Sequence, residues 1–159
     1  MIIDINGRRY PTVTESGIYG FFGVYSFLSN FHPSPFEIDG DIWPTTEHYY
    51  MWCKSKSDID KSILLSNPDP KFARKYGTTE IVLSSDWDFV KPHAMLKCNI
   101  EKYRQNPKEK QLLLDTGLRY LEETNNWNDV YWGVCGGFGL NMLGKTLMHV
   151  RDLAIRGII

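Results

Sequence analysis

The chain is poor in several features that usually assign a protein to a class, and each absence excludes something. Cysteine is scarce. Cys53, Cys98 and Cys135 are odd in number and form no Cys-x-x-Cys pair, which removes both a disulfide framework and a zinc knuckle and leaves three reduced, largely buried thiols as the expectation. Long apolar runs are missing: stretches such as Leu112-Leu113-Leu114 fall far short of the roughly 20 residues that cross a bilayer. Met1-Ile2-Ile3-Asp4 has no signal-peptide layout, so a soluble, cytoplasmic protein without a membrane partner is expected. An excess of charge is missing too. The 18 Lys plus Arg against 19 Asp plus Glu give a net charge of -1, which argues against a protein that grips a nucleic-acid backbone by bulk electrostatics. A modified nucleic acid held by local contacts stays open as a substrate. No repeat and no Ser/Gly/Pro-rich tract divides the 159 residues, a length that suits one domain with its own core.

What is present reads as a mainly helical α+β fold with a small β element near the N-terminus. Asn6-Gly7, within Ile2 to Val13, is a hairpin signal, and Asp39-Gly40 between Phe36-Glu37-Ile38 and Asp41-Ile42-Trp43 is a second one. Phe21 to Tyr25 and Ile81-Val82-Leu83 are expected as strands, the latter buried. Pro44-Thr45-Thr46 before Glu47 reads as a Thr-capped helix start with an acidic first turn. Asp58 is expected to cap a second helix, and Pro70 to open a third that stops near Gly77. Helical spacing returns at Met95, Leu96, Asn99, Ile100 and Tyr103, then from Asn106-Pro107 to Gly117. A last apolar stripe runs through Leu143, Leu147, Val150, Leu153 and Ala154, capped by Asn141 and closed by Gly157.

Two motifs point away from the final reading. Gly139 to Thr146 fits the phosphate-loop pattern G-x-x-x-x-G-K-T, but only 13 residues follow Thr146. They read as one helix, with no later strand to carry an acidic magnesium partner. What survives is that Gly133, Gly136, Gly137 and Gly139 leave the backbone open to a ligand beside a helix start, a setting that suits phosphate. Glu47-His48 resembles the beginning of a zinc-hydrolase motif, yet no second histidine follows at helical spacing. His32, His48, His93 and His149 are scattered, so no metal site is expected. Cys135 has no neighbour in sequence that would lower its pKa, and a structural thiol is the better reading.

Three regions combine aromatic and polar residues outside the amphipathic pattern: Ser29-Asn30-Phe31, Glu47 with Lys54, and Trp127 to Gly133. Positions 47 and 54 fall on nearly the same face of a helix, about two turns apart. Such a pair could hold a sugar hydroxyl and a phosphate. Cleaving a glycosidic bond develops an oxocarbenium-like sugar, which asks for one carboxylate beside the cation or the attacking water and a second acid for the leaving group. Glu47 and Asp129 are the candidates. A heterocyclic leaving group needs a flat wall, and Trp87, Trp127, Tyr131 and Trp132 are available for it. Each residue also has a bland reading, as a dipole partner, a turn cap, a solvated lysine or a core ring.

The chain resembles the NADAR family, also called the YbiA-like or riboflavin-biosynthesis-intermediates N-glycosidase family. The resemblance is carried by Phe27-Leu28-Ser29-Asn30-Phe31, Pro33-Ser34-Pro35-Phe36, Trp43-Pro44-Thr45-Thr46-Glu47-His48-Tyr49-Tyr50 with Lys54, and Asp86-Trp87 with Met95. It continues through Thr116-Gly117, Leu121-Glu122-Glu123, Asp129-Val130-Tyr131-Trp132-Gly133, Asn141-Met142-Leu143-Gly144, Leu147-Met148 and Arg151. It implies a YbiA-like helical domain over 21–159, with residues 1–20 as an N-terminal hairpin extension. It further implies an N-glycosidase acting without metal or cofactor, whose essential residues are Glu47, Trp87 and Asp129. Glu47 would activate water or stabilise the anomeric cation, Asp129 would assist from the opposite side, and Trp87 would wall the base. Ser29, Asn30, Phe31, Lys54, Trp132, Gly133 and Asn141 complete the candidate substrate-binding set.

The implied partner is a ribose-phosphate or ADP-ribose substrate. It is either a ribosylamino-pyrimidine phosphate of riboflavin synthesis or ADP-ribosylated guanine in DNA or RNA. Thr78 and Ser84 stand where the family often has arginine, which leaves substrate choice open, as is the oligomeric state. The competing readings are a non-catalytic module that binds NAD, ADP-ribose or a related nucleotide, and a phosphate-loop ATPase.

Overall fold

The computed structural model describes residues 2–3 and 7–159. Four short strands open the chain, β1 (Ile2–Ile3), β2 (Arg9–Tyr10), β3 (Thr12–Val13) and β4 (Gly17–Tyr19), before a 3-10 helix over Gly23–Leu28. Strands β5 (Phe36–Ile38) and β6 (Asp41–Trp43) lead into α1 (Thr46–Trp52), α2 (Asp58–Leu65), α3 (Pro70–Thr79) and α4 (Trp87–Gln105). After α5 (Pro107–Asp115) come β7 (Tyr120–Glu122), β8 (Thr124–Asn125), β9 (Val134–Cys135) and α6 (Met142–Ile155). This is the expected mainly helical α+β fold with small sheets. The chain divides into two compact units, Asn30–Pro107 and the pair of segments Met1–Ser29 and Lys108–Ile159.

In the unit Asn30–Pro107, β5 and β6 pair antiparallel with Phe36 opposite Trp43. Asp39 and Gly40 turn the chain with φ of 55° and 86°, the left-handed pair that a two-residue hairpin turn requires. Alternation buries Phe36, Ile38 and Trp43 and leaves Glu37 and Ile42 exposed. Trp43 meets Tyr49 edge-on at 5.4 Å and stacks on Trp52 at 5.2 Å, which ties the hairpin to α1. The cap of α1 is Thr45, as expected, its side chain accepting from the His48 N–H. Helix α3 begins at Pro70, with the Asp69 side chain accepting from the Lys71 N–H at 2.9 Å. A Cβ added at Gly77 would lie 2.6 Å from Met51 Cγ, so the glycine lets α3 approach α1. Along α4, Met95, Cys98, Asn99 and Lys102 are buried, the three-and-four spacing of one helical face.

Three local expectations are corrected. Ser57, not Asp58, caps α2, its side chain accepting from the Asp60 N–H, and Asp58 is the first helical residue. Ile81-Val82-Leu83 is not a buried strand: it has no sheet partner, and Val82 and Leu83 are 83% and 53% exposed. An apolar triplet alone could not reveal that no neighbouring strand exists. Phe21 to Tyr25 is not a strand either, because Gly23 at φ 56° turns the extended Phe22 into the 3-10 helix.

In the other unit, β3, β4 and β7 form one sheet. Strand β4 runs parallel to β7, with Ile18 opposite Leu121, so residues 12–19 are built into this sheet. Strands β1 and β2 pair antiparallel, while Asn6 of the expected turn lies outside the described residues. Helix α6 packs on β7, burying Ile18, Leu121, Leu147 and Val150 completely. Arg151 is buried on the same helix and donates to Thr116 Oγ1 at 2.7 Å and to the Arg119 carbonyl at 2.9 Å. Among the described residues, no helix is long and apolar enough to cross a membrane.

Candidate active site

The first turn of α1 is a buried polar patch. Thr45, Thr46, Glu47 and His48 follow one another and are all at most 3% exposed. The Glu47 N–H donates to the Asn30 carbonyl at 3.1 Å. Thr46 Oγ1 reaches the same carbonyl at 3.2 Å and Asn30 Oδ1 at 3.0 Å. Asn30, with its amide nitrogen 3.3 Å from Met95 Sδ, thus anchors the turn that presents Glu47. His48 fixes the turn from the other side. A carbonyl can only accept, so Nε2–H donates to the Asn67 carbonyl at 2.9 Å, and Nδ1 accepts from the Thr45 hydroxyl at 2.8 Å. Burial holds this imidazole below its ordinary 6.5, opposed by the Asn67 bond and the charge of Asp69. With both ring nitrogens committed, His48 acts as a brace.

Lys54 lies beyond the end of α1, its N–H bonded to the Met51 carbonyl in a turn. The helix therefore does not extend to position 54 as the spacing suggested. Lys54 is nonetheless buried, and its Nζ donates to the Gly77 carbonyl at 2.6 Å. Desolvation pulls its ammonium below the ordinary lysine range, the Glu47 carboxylate pushes it back up, and Arg74 lowers it. A carboxylate and an ammonium thus share one poorly solvated region, and the carboxylate favours the charged form of the ammonium. The Lys54 carbonyl accepts from the Ser84 N–H at 2.8 Å, and the Ser84 carbonyl from the Trp87 N–H at 3.1 Å. These bonds connect Lys54 to the start of α4, where the 8% exposed Trp87 ring lies 5.1 Å from that of Tyr50. Phe31 is half-buried with the Arg74 guanidinium 5.9 Å from its ring centroid. Thr78, one turn after Arg74, donates its hydroxyl to the Arg74 carbonyl at 2.8 Å.

The unit formed by Met1–Ser29 and Lys108–Ile159 holds the remaining candidates. Ser29 closes the 3-10 helix with its N–H on the Ser26 carbonyl. Asp129 is half-buried in the connection from β8 to β9, and its Oδ1 accepts from the Trp132 N–H at 2.9 Å. The half-buried Trp132 ring meets Tyr131 edge-on at 4.9 Å. Gly133 is buried, and a Cβ there would collide with the Glu123 carbonyl and lie 2.6 Å from Asn125 Nδ2. Asn141 occupies the position before α6 at φ 51° but makes no side-chain cap bond to the helix. Its amide donates instead to the Tyr120 hydroxyl and the Leu121 carbonyl, both at 2.8 Å, and accepts from the Glu123 N–H at 3.1 Å.

The glycine-rich segment is built unlike a phosphate loop. The N–H groups of Leu140, Asn141, Met142 and Leu143 donate to the carbonyls of Val130, Gly133, Tyr131 and Trp132. The donors that would face an anion at the start of α6 are consumed by the preceding loop, which corrects the expectation of a phosphate-binding backbone there. Among the described residues, no three His, Cys, Asp or Glu side chains gather as metal ligands.

Sequence reading missed Thr46, Gly77, Arg74 and Asn125 as neighbours of these candidates. Only Asn125 left a usable signal, as an Asn at the mouth of a polar turn, where such side chains bond nearby backbone.

Comparison with known proteins agrees with this arrangement of elements. Residues 21–154 match the NADAR domain family. N-glycosidase YbiA of Escherichia coli is 32% identical over 153 residues, covering 93% of this chain and 95% of that protein. N-glycosidase Npun_R5314 of Nostoc punctiforme is 36% identical over 84% of this chain and 88% of its own length. Riboflavin biosynthesis protein VVA0006 of Vibrio vulnificus is 32% identical over 80% of this chain, which corresponds to 35% of that protein. The NMR structure of E. coli YbiA superposes with a TM-score of 0.79 at 32% identity, over 92% of this chain and 90% of that one. The chain belongs to the NADAR family and is one of its N-glycosidases.

Proposed function

We propose that the protein hydrolyses the N-glycosidic bond of a ribosylamino-pyrimidine phosphate, with Glu47 as the central carboxylate. One observation carries the reading: Glu47 is 3% exposed, in the first turn of a capped helix, close enough to the buried Lys54 ammonium to shift its titration. A carboxylate in a poorly solvated place can, when charged, stabilise a cationic anomeric carbon or orient water for attack, because its charge is little screened. In the reaction, water oxygen bonds to C1′ and the C1′–N bond breaks. Its electron pair leaves on nitrogen, which takes up a proton, and the products are a ribose phosphate and a free base or amine. Trp87 supplies a flat wall for the heterocycle. Asp129 serves as the second acid, a role that rests on the family resemblance. Similarity to proteins named for riboflavin biosynthesis and the net charge of -1 favour a small phosphorylated substrate over nucleic acid.

The test is chromatography with mass analysis of products from wild type and Glu47→Gln. Each is incubated with a ribosylamino-pyrimidine phosphate and with DNA carrying ADP-ribosylated guanine. Glu47-dependent release of the pyrimidine is expected. Cleavage of the DNA adduct alone would move the substrate to the nucleic-acid branch, and two intact substrates would overturn the proposal.

A further inference from the structure

We infer that Asn125 is the positioning residue for Asp129, acting through a two-sided grip on the Asp129 backbone. Asn125 is 3% exposed and ends β8, which pairs parallel with β9 so that Asn125 lies opposite Cys135. From this strand the side chain reaches across the intervening turn. Its Oδ1 accepts from the Asp129 N–H at 3.2 Å and from the Trp127 N–H at 3.2 Å. Its Nδ2 donates to the Asp129 carbonyl at 2.7 Å and, at 3.5 Å, to the Glu123 carbonyl. One amide therefore holds both backbone polar groups of Asp129. The Asp129 carboxylate points its Oδ1 to the Trp132 N–H, so the orientation of the acid is set at its backbone by Asn125 and at its side chain by Trp132.

The surrounding residues fit this task. Asn128 lies at φ 62°, a conformation that asparagine tolerates better than most residues, and it gives the turn between Asn125 and Asp129 its tightness. Gly133 leaves the space that Asn125 Nδ2 fills, since an added Cβ would come within 2.6 Å of that atom. Asparagine is the side chain that fits: aspartate would place a charge against the Asp129 carbonyl and lose both donors, and serine would be too short to span the turn. An exposed turn of polar residues would otherwise carry its carboxylate in many orientations, and misplacement by about 1 Å can cost a hundredfold in rate.

The inference rests on the proposed role of Asp129, so the experiment is a double-mutant cycle that separates the two. Turnover of a ribosylamino-pyrimidine phosphate is measured for wild type, Asn125→Ala, Asp129→Asn and the double variant, with melting curves for all four. Asn125→Ala is expected to lower kcat on the order of tenfold to a hundredfold with a smaller change in KM. In the Asp129→Asn background, the same substitution should cost little further. Asn125→Asp, which keeps the acceptor side of the grip but sets a charge against the Asp129 carbonyl, should lose at least as much as Asn125→Ala. A folded Asn125→Ala with full activity, or an equal rate loss in both backgrounds, would overturn the inference while leaving Asp129 in place. Full activity of Asp129→Asn would instead overturn the reading on which it rests. If Asn125→Ala does not fold, Asn125→Ser, which stays polar but is too short to span the turn, runs the cycle in its place with the same outcomes.

Discussion

The two carboxylates of the proposed chemistry are held in opposite ways. Glu47 sits in a regular helix, its first turn capped by Thr45, braced by His48, anchored on Asn30 and closed off from solvent. Asp129 sits in a loop, half-buried, with its backbone gripped by one asparagine and its carboxylate bonded to a backbone N–H. Burial strengthens the electrostatic work a charge can do and demands a partner, which Lys54 provides. A half-buried loop acid lacks a helix to hold it, and its orientation has to come from hydrogen bonds. In the proposed mechanism, electrostatic stabilisation therefore falls to Glu47 and help for the leaving group to Asp129.

The largest effect should come from Glu47→Gln. It keeps the volume and the helix but takes the counter-charge from the buried Lys54 ammonium, so the fold should persist with a lowered melting temperature while base release falls on the order of 10²- to 10⁴-fold. Base release at the wild-type rate would end the assignment. Asp129→Asn should cost on the order of a hundredfold, since an amide oxygen still accepts from the Trp132 N–H and only the acid is lost. Asp129→Ala removes that bond as well and should show a further loss of about 1 kcal/mol in denaturant melts. A matching loss for Asn would mean that charge, rather than the hydrogen bond, holds the loop.

Packing sharpens the contrast further. Gly144→Ala drives a Cβ into the Leu121 carbonyl and the Asn141 amide, neither of which can yield, and should cost about 1–3 kcal/mol. Gly77→Ala is met first by Met51 side-chain atoms rather than by backbone, and should cost less. The reverse order in urea melts would contradict this account of the two close approaches.

The smallest expected effects concern the α1 cap. Thr45→Ala removes the acceptor for the His48 N–H and the donor to Nδ1 and should cost about 1 kcal/mol. His48 is held below its ordinary 6.5, so the unfolded chain binds the proton more readily. Its contribution to stability is fully present above about 6.5 and is lost as pH falls below that value toward the lowered folded pKa. Melting temperatures of wild type should therefore drop more between pH 7 and 5.5 than those of His48→Gln. Parallel curves would show that the histidine does not titrate in this way.

Much of the fold was legible because it depends on local chemistry. The Asp39-Gly40 turn, the Thr45 cap, Pro70 and Pro107 at the starts of α3 and α5, and α6 with its periodic apolar face follow from propensities that act within a few residues. Three of the failures turn on tertiary partners, whereas the Ser57 cap of α2 and the turn at Gly23 are local. Ile81 to Leu83 reads as a strand, but a strand needs a neighbour. Asn141 reads as a cap, but its amide has better partners in Tyr120, Leu121 and Glu123. The phosphate-loop pattern reads as an anion site, but the N–H groups at its helix start are taken by carbonyls several residues upstream. The first lacks the partner a strand requires, and in the other two the competing partners lie outside the motif that suggested the reading.

By itself, the sequence determined which residues could do chemistry. Its motifs named Glu47, Trp87 and Asp129 through family resemblance, and its near-neutral charge argued against a bulk grip on nucleic acid. Tertiary structure alone decided how those groups are conditioned: the burial of Glu47 beside Lys54, the two-nitrogen brace of His48 and the grip of Asn125 on the Asp129 backbone. The physical reason is that desolvation and hydrogen-bond geometry belong to pairs of residues brought together by folding, and no property of one residue type encodes its partner.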